Sequence, residues 1–540
     1  MAERNDPTRL RPRRGRTLPL IQLEVPGTIP LYEQLYRGLR ENILSGRLAG
    51  GTRIASTRVL ATHWNVSRFT VVNAMERLLA EGYLIARRGS GTAVVDTLPE
   101  ATMRATRRAS ANTSAAAASN KPPTRLSSRG AAVSAVVITG PRTAHGEPRP
   151  FHPRRTPLDV FPVKTWSRII RRQWASSAYD RLDYGDPAGL PALRDAIAAH
   201  ISITRAVRCT AREIVITSGS QQAFDILFRL LLDPGDQAWI EEPGYLDVRG
   251  ALVAAGATIV PVPVDRCGID VAAGVRRAPR ARVAVVSPSH QYPTGATLGG
   301  ARRGALLEWA RSTGAWIVED DSDSYFRYSG RPMSALEGID RDSAPSQRAS
   351  PCVVYVGTFS KTMFPSLRLG FCVVPEPLIA AVVNAKAIAG RNSPIVDQAA
   401  LAEFMISGHY DQHLRRMRMA CQERYEALRL SCAAHIPELS LAPVSAGTHV
   451  VARLAAIGPS HRTSGALAIE LADAAAADDL VVFPLSRYCL DSCDDTAVVL
   501  GFGGVTPRRI ADGVERLARV IDRVRRRRPP SPGLRRGRPV

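Results

Sequence analysis

Residues Val353–Val374 read VVYVGTFSKTMFPSLRLGFCVV, an apolar run that leads into a turn holding one lysine. The short run Val353–Gly357, closed by glycine, has the pattern of a strand covered on both faces. Lys361 follows among hydroxyls, in Gly357-Thr358-Phe359-Ser360-Lys361-Thr362, and Arg368 lies seven residues on. The chain has only four lysines, Lys121, Lys164, Lys361 and Lys386, among its 72 basic residues. A sequence that writes arginine nearly everywhere should keep lysine where a primary amine is needed. A Schiff base is such a place, because guanidinium forms no imine. The bland reading is a surface lysine; the hydroxyl cluster and the arginine favour a site for a phosphate and an aldehyde.

Working outward, strand-like runs recur at Glu213–Thr217, Gln237–Glu241, Thr258–Val264, Arg282–Ser287 and Ala315–Glu319, with helical patterns between them. This alternation predicts an α/β fold with a parallel sheet flanked by helices over residues 151–524. Two of its turns carry chemistry. Thr217-Ser218-Gly219-Ser220-Gln221-Gln222-Ala223 follows a strand and opens a helix, whose free N–H groups and dipole suit a phosphate. Glu319-Asp320-Asp321 ends another strand, where a carboxylate can hold a protonated pyridine nitrogen. The competing reading of these acids is a solvated pair at a sheet edge.

Residues 30–96 have a different pattern. Apolar residues at 31, 35, 36, 39 and 43 predict a helix over Leu31–Leu44 with one buried face. Ser56 offers a cap for a short helix through Trp64, Asn65 and Val66 make a turn, and Ser67 caps the next helix. Val71, Val72, Met75, Leu78 and Leu79 should form its inner face. Such spacing places the start of the second helix in the major groove of DNA, where Ser67, Arg68 and Thr70 can reach phosphates and base edges. Two short strands around Gly89-Ser90-Gly91, with Arg87 and Arg88 on the flank, read as a wing.

The 540-residue chain carries a formal charge of +23, unevenly placed: residues 1–150 hold 23 basic against 10 acidic side chains. A basic first quarter suits a polyanion. We expect a basic N-terminal extension over 1–29, a flexible linker rich in Ala, Ser, Thr, Arg and Pro over 97–150, and a basic disordered tail over 525–540. No apolar run reaches the roughly 18 residues of a membrane span, and no targeting segment is evident, so the expected location is cytoplasmic. Eight scattered cysteines are expected to be reduced, and none completes a metal site.

The run Ile54–Val95, IASTRVLATHWNVSRFTVVNAMERLLAEGYLIARRGSGTAVV, resembles the GntR-type winged helix-turn-helix. It departs at Ala55, where the family usually has proline. The resemblance implies that Arg58, Ser67, Arg68, Thr70 and Gly91 face DNA. The lysine turn and the two motifs above stand in the order of fold-type I enzymes dependent on pyridoxal 5'-phosphate (PLP). So do Tyr184–Gly189, Glu242-Pro243-Gly244-Tyr245, Pro288–Gly295 and Ser407-Gly408-His409-Tyr410. Joined to the winged helix, they resemble the MocR/GabR family over about Pro30 to Val524. The resemblance implies an aminotransferase-like domain with a mainly parallel sheet and a smaller C-terminal α+β subdomain. It also implies that Lys361 carries PLP, Asp320 pairs with the ring nitrogen and Tyr245 stacks on the ring. Ser220, Gln221, Ser360 and Arg368 would hold the phosphate. A homodimer is implied as well, with the winged helix of one chain near the PLP domain of the other.

Two departures bear on function. The family usually reads Glu-Asp-Asp-Tyr-Asp, whereas Ser322 stands here in place of the tyrosine, leaving Tyr292 or Tyr325 to substitute. Aminotransferases commonly carry a carboxylate-binding arginine in a late strand, and Thr496–Phe502 has none; Arg487, Arg249 and His449 are the stand-ins. The expectation is a DNA-binding transcription regulator whose effector is PLP or its adduct with a small amino compound, with at most residual aminotransferase activity. The alternatives are an aminotransferase with a DNA-binding extension, and a regulator whose PLP domain has become a scaffold.

Overall fold

A computed structural model of the chain describes residues 18–25, 27–87, 91–96, 126–136, 148–176, 182–330, 333–347, 350–454, 467–491, 494 and 496–527. The backbone divides into two compact units, residues 1–124 and 125–540.

In the first unit, α1 (Leu31–Leu44) buries Leu35, Tyr36, Leu39 and Ile43 on one face. Ser56 caps α2 (Thr57–Trp64) by accepting from Val59 N, and Asn65 ends it in the left-handed region, at φ 51°. Ser67 then caps α3 (Arg68–Ala80), with Thr70 N donating to its Oγ at 3.1 Å. The inner face of α3 is Val71, Ala74, Met75 and Leu78; Val72 and Leu79 are only half-buried. The 3.6-residue period explains the shift, since Ala74 completes the same stripe as 71, 75 and 78. Strands β1 (Leu84–Arg87) and β2 (Gly91–Val94) pair antiparallel, from Leu84 opposite Val94 to Arg87 opposite Gly91. Gly89 and Ser90, expected at the wing tip, and Arg88, expected on its flank, lie outside the described residues, as do most of the expected termini and linker.

The larger unit is built on an eight-stranded mixed sheet. Its strands are β3 (Ile214–Thr217), β4 (Gln237–Glu242), β5 (Thr258–Asp265), β6 (Gly268–Ile269), β7 (Val283–Val286), β8 (Trp316–Asp320), β9 (Val353–Thr358) and β10 (Gly370–Val373). They lie in the order β3-β10-β9-β8-β7-β4-β5-β6. The pairs from β5 through β4, β7 and β8 to β9 are parallel; β10 runs antiparallel to both β9 and β3. The reversal has a local cause. The chain between β9 and β10 contains no crossover helix, and a short connection can only return antiparallel. That connection is the segment carrying Lys361 and Arg368.

A second sheet of β11 (Leu439–Leu441), β12 (His449–Leu454), β13 (Phe483–Pro484) and β14 (Ala497–Gly501) is antiparallel, in the order β11-β12-β14-β13. It shares one apolar core with residues of the helices His409–His435 and Pro507–Arg527, the smaller α+β part. Within the stretch read as linker, Ser128–Ala135 forms a helix; Ser127 caps it through Gly130 N at 3.0 Å, and its alanines favour the conformation. Among the described residues, no helix is long and apolar enough to cross a membrane and no acidic, His or Cys cluster could hold a metal. Among the described residues six cysteines are free, whereas Cys489 is disulfide-bonded, a departure from the reduced state expected of it.

Candidate functional site

A cavity of ≈ 210 Å³ opens where β8 and β9 end and the helix Ser220–Leu231 begins. This is the rim of a parallel sheet at which ligands of α/β folds gather. Lys361, Asp320, Tyr245, Ser220, Gln221, Ser360, Arg368 and Tyr292 all line it, so the structure brings together the residues expected to hold the cofactor, but not the stand-ins Tyr325, Arg249, Arg487 and His449.

The three consecutive acids at the end of β8, Glu319 and Asp320 within it and Asp321 just past it, have different partners; within the strand Glu319 and Asp320 point to opposite faces. Glu319 accepts from Leu336 N and Glu337 N, both at 2.9 Å. Asp321 pairs with the buried Arg205 at 2.7 Å and accepts from Tyr355 Oη. Only Asp320 enters the cavity. All three are buried, which removes the reading of solvated acids at a sheet edge. Burial pushes the Asp320 carboxyl up to about 6, opposed by a hydrogen bond from Ser322 Oγ and by the charge of Lys361.

Lys361 Nζ donates to Asp323 Oδ1 at 2.7 Å. The Asp323 carboxyl is held below its ordinary value although burial opposes this; the charge of Lys361 and its hydrogen bond lower it. Gly219, at φ 105°, caps the helix Ser220–Leu231 in a conformation that L side chains rarely adopt. A Cβ there would stand 3.4 Å from the Arg368 guanidinium, an ordinary contact, so the arginine lies directly against the helix start and the backbone conformation alone calls for glycine. Gln221 donates to the Asp247 carbonyl at 3.0 Å, while its buried Oε1 has no partner.

Tyr245 is fixed by its hydroxyl, which donates to Asp247 Oδ2 at 2.7 Å and accepts from Arg154 Nη2 at 3.0 Å. Arg154 also grips Asp247 through both Nη atoms. Tyr292 meets Tyr245 edge to face at 5.8 Å, and its hydroxyl is 2.9 Å from that of Tyr488. Of the two substitutes for the missing phenol, Tyr292 lines the cavity, with Lys361 Nζ 5.7 Å from its ring centroid. Tyr325 instead stacks on His200.

The stand-ins for a late-strand arginine are engaged elsewhere. Arg249 holds Glu242 at 3.1 Å and the Tyr488 carbonyl; Arg487 lies over the Phe483 ring, 4.6 Å from its centroid. His449 is buried, its Nε2 3.1 Å from the Pro293 carbonyl, and burial pushes it down to about 3. Sequence reasoning missed Arg154, Asp247, Asp323 and His290. Asp323 had a signal, three residues past Asp320; Arg154 and Asp247 are 93 residues apart and had none.

In the first unit, Arg58, Ser67 and Arg68 are exposed on α2 and at the start of α3, and Thr70 is half-buried. Ser67 Oγ lies 2.8 Å from Thr70 Oγ1, so both hydroxyls are partly engaged in the cap. Arg68 Nε donates to Thr57 Oγ1 at 3.3 Å, tying the two helices. Gly91, at φ 79°, has open space around it, and Arg87 pairs with it across the wing. Phe69, which the sequence reading passed over, is 74% exposed in the first turn of α3.

Residues 31–94 match the gntR family of bacterial regulatory proteins, and residues 158–488 match the class I and II aminotransferases. The chain is 37% identical to the probable rhizopine catabolism regulatory protein MocR of Rhizobium meliloti, over 92% of this chain and 95% of that one. It is 27% identical to the pyridoxine biosynthesis transcriptional regulator PdxR of Corynebacterium glutamicum, over 88% and 92%. Among solved structures, a multiple substrate aminotransferase from Thermococcus profundus superimposes with a TM-score of 0.61 at 26% identity, covering 69% of this chain and 91% of that one. With the winged helix and the lysine cavity on one chain, the protein belongs to the MocR-type transcription regulators, in which a GntR DNA-binding domain is joined to an aminotransferase fold.

Proposed function

We propose that this regulator binds PLP in the Lys361 cavity and that a small amino compound exchanging there changes how a dimer of winged helices binds DNA. The residues fit the cofactor. Gly219 opens the helix in a conformation that favours glycine, and the N–H groups of that helix, Ser220, Gln221, Ser360 and the Arg368 guanidinium suit a phosphate. Asp320 is a buried carboxylate that lacks a full countercharge, as a partner for a protonated ring nitrogen requires. When bound, PLP supplies an aldehyde that condenses reversibly with primary amines.

The chain's own groups then divide the work. Tyr245, held by Arg154 and Asp247, presents a fixed aromatic face, and Asp320 keeps the ring nitrogen protonated. Lys361 provides the tethering amine, and Asp323 receives its ammonium whenever another amine displaces it. For a signal to result, the amine must bind two states of the protein differently. On DNA, Arg58, Arg68, Arg87 and Arg88 would meet phosphates, and Ser67, Thr70 and Gly91 would allow close approach to the backbone and base edges. Transamination is the weaker reading, since the stand-ins for a substrate arginine are engaged elsewhere.

The observation that carries the proposal is the placement of Lys361 Nζ in one cavity with Asp320 and Arg368. The test is the visible absorption of the protein with PLP, for wild type and Lys361→Ala, alongside operator binding. The expected result is a band absent from the variant that changes with an added amine together with DNA affinity. A folded, DNA-binding wild type without any band would refute it and leave the scaffold reading.

A further inference from the structure

Within the larger unit, the helix Val163–Ala175 has two unlike faces. Trp166 and Ile169 point inward, and Trp166 meets Phe364 and Phe404 edge to face, both at 5.8 Å. Lys164, Arg168 and Arg171, spaced i, i+4, i+7, form the opposite, exposed face. The start of the helix His409–His435 lies beside it: buried His413 meets Phe161 edge to face at 5.2 Å and Phe404 at 6.5 Å. Arg415 and Arg416 follow on the exposed side of that helix. Burial, then the charge of Arg416, pushes the His413 imidazole down to about 4.

Among the described residues these five cations have no acidic partner. Glu403, close by, is taken by Arg172 and Gln173, and Asp411 lies 3.4 Å from His200 Nδ1. In an arginine-rich chain, exposure alone decides nothing. Elsewhere, though, exposed arginines sit on carboxylates, as Arg37 on Glu33, Arg208 on Asp342 and Arg429 on Glu426. Five unmatched cations on two adjoining helices repel one another, and a polyanion from outside removes that cost. Duplex DNA is the polyanion this family binds. Guanidinium groups match phosphate oxygens in pairs, and the covalent connection to the winged helix keeps a bound duplex at high effective concentration for this unit.

We infer that the face formed by Lys164, Arg168, Arg171, Arg415 and Arg416 is a second DNA-contact surface, which takes the phosphate backbone of duplex beyond the bases read by the winged helix. The inference uses the DNA-binding character of the family and does not depend on PLP at Lys361.

The test uses the full-length protein and fluorescein-labelled mixed-sequence duplexes of about 20 and about 60 base pairs. The short one accommodates paired winged helices, whose half-sites lie about one helical turn apart; the long one leaves duplex for the second face. Anisotropy at several salt concentrations compares wild type with the triple variant Arg168→Gln, Arg171→Gln, Arg415→Gln and with its counterpart Arg168→Lys, Arg171→Lys, Arg415→Lys. Thermal melts check that each is folded. On the long duplex the glutamine variant should bind about tenfold or more weaker at about 0.1 M salt, with a salt slope lower by about 2–3. The short duplex should change little, and the lysines should restore the slope, since they keep the charge. An unchanged slope on the long duplex would overturn the inference. So would an equal loss on both duplexes, which assigns the effect to the winged helix, or a glutamine variant that sediments as a smaller species, which assigns the face to contact between copies.

Discussion

Lys361 donates to Asp323, 2.7 Å away, rather than to Asp320, the carboxylate three residues earlier at the end of β8. The division leaves Asp320 free to serve a ring nitrogen while Asp323 holds the lysine.

Asp323→Asn should therefore retain PLP on Lys361 but weaken exchange with added amines. The released ammonium would sit in the cavity without a carboxylate, at a cost of about 1–2 kcal/mol in a partly solvated site. The half-saturating amine concentration in an absorbance titration should rise about tenfold. Unchanged amine affinity would remove Asp323 from the exchange.

Asp320 gives a prediction about stability against pH. Its folded value is raised from 3.8 to about 6, mainly by burial. The folded state holds the proton more tightly than the unfolded chain, so this contribution is present below 3.8 and lost as pH rises through about 6. Asp320→Asn, neutral throughout, should stabilise the cofactor-free protein at pH 7 by about 2 kcal/mol, with little gain at pH 4, while abolishing tight PLP binding. Denaturant titrations of both proteins at the two pH values check the sign.

Gly219→Ala should weaken both the local fold and phosphate binding. The φ of 105° makes any side chain costly, by about 1–3 kcal/mol, so the start of the helix beside Arg368 would have to shift. PLP affinity measured by equilibrium titration should fall about tenfold or more, with Lys361 and the DNA-binding unit untouched.

On the DNA-binding unit, Ser67→Ala and Arg68→Ala should behave differently although the residues are adjacent. Loss of the Ser67 cap should cost about 1 kcal/mol of stability. Loss of Arg68 should leave stability nearly unchanged, since its bond to Thr57 is exposed and 3.3 Å long. It should weaken operator binding and reduce the salt slope by about 1. Thermal melts and fluorescence anisotropy at several salt concentrations distinguish the two.

What the sequence determined by itself was whatever lies within one strand or one turn. The runs read as strands at Gln237–Glu241, Ala315–Glu319 and Val353–Gly357 form β4, β8 and β9 within a residue, because apolar runs of that length bury best as central strands. Ser56 and Ser67 cap the helices assigned to them. Lys361, Ser360 and Arg368 share one short connection, and Ser220 and Gln221 one helix start, so local order was enough to group them.

Tertiary structure alone decided the rest. Nothing local says that Arg154 should meet Asp247 across 93 residues, that Arg249 should be taken by Glu242 and the Tyr488 carbonyl, or that Tyr292 rather than Tyr325 should line the cavity. Nor does composition reveal that β10 runs against its neighbours, since an antiparallel strand buried on both faces has the same apolar pattern as a parallel one. Backbone periodicity is fixed by geometry within a few residues, whereas the partner of a charge depends on which surfaces the packed core brings face to face. In this protein the first determined where the lysine stands, and the second determined which charges around it are left for a ligand.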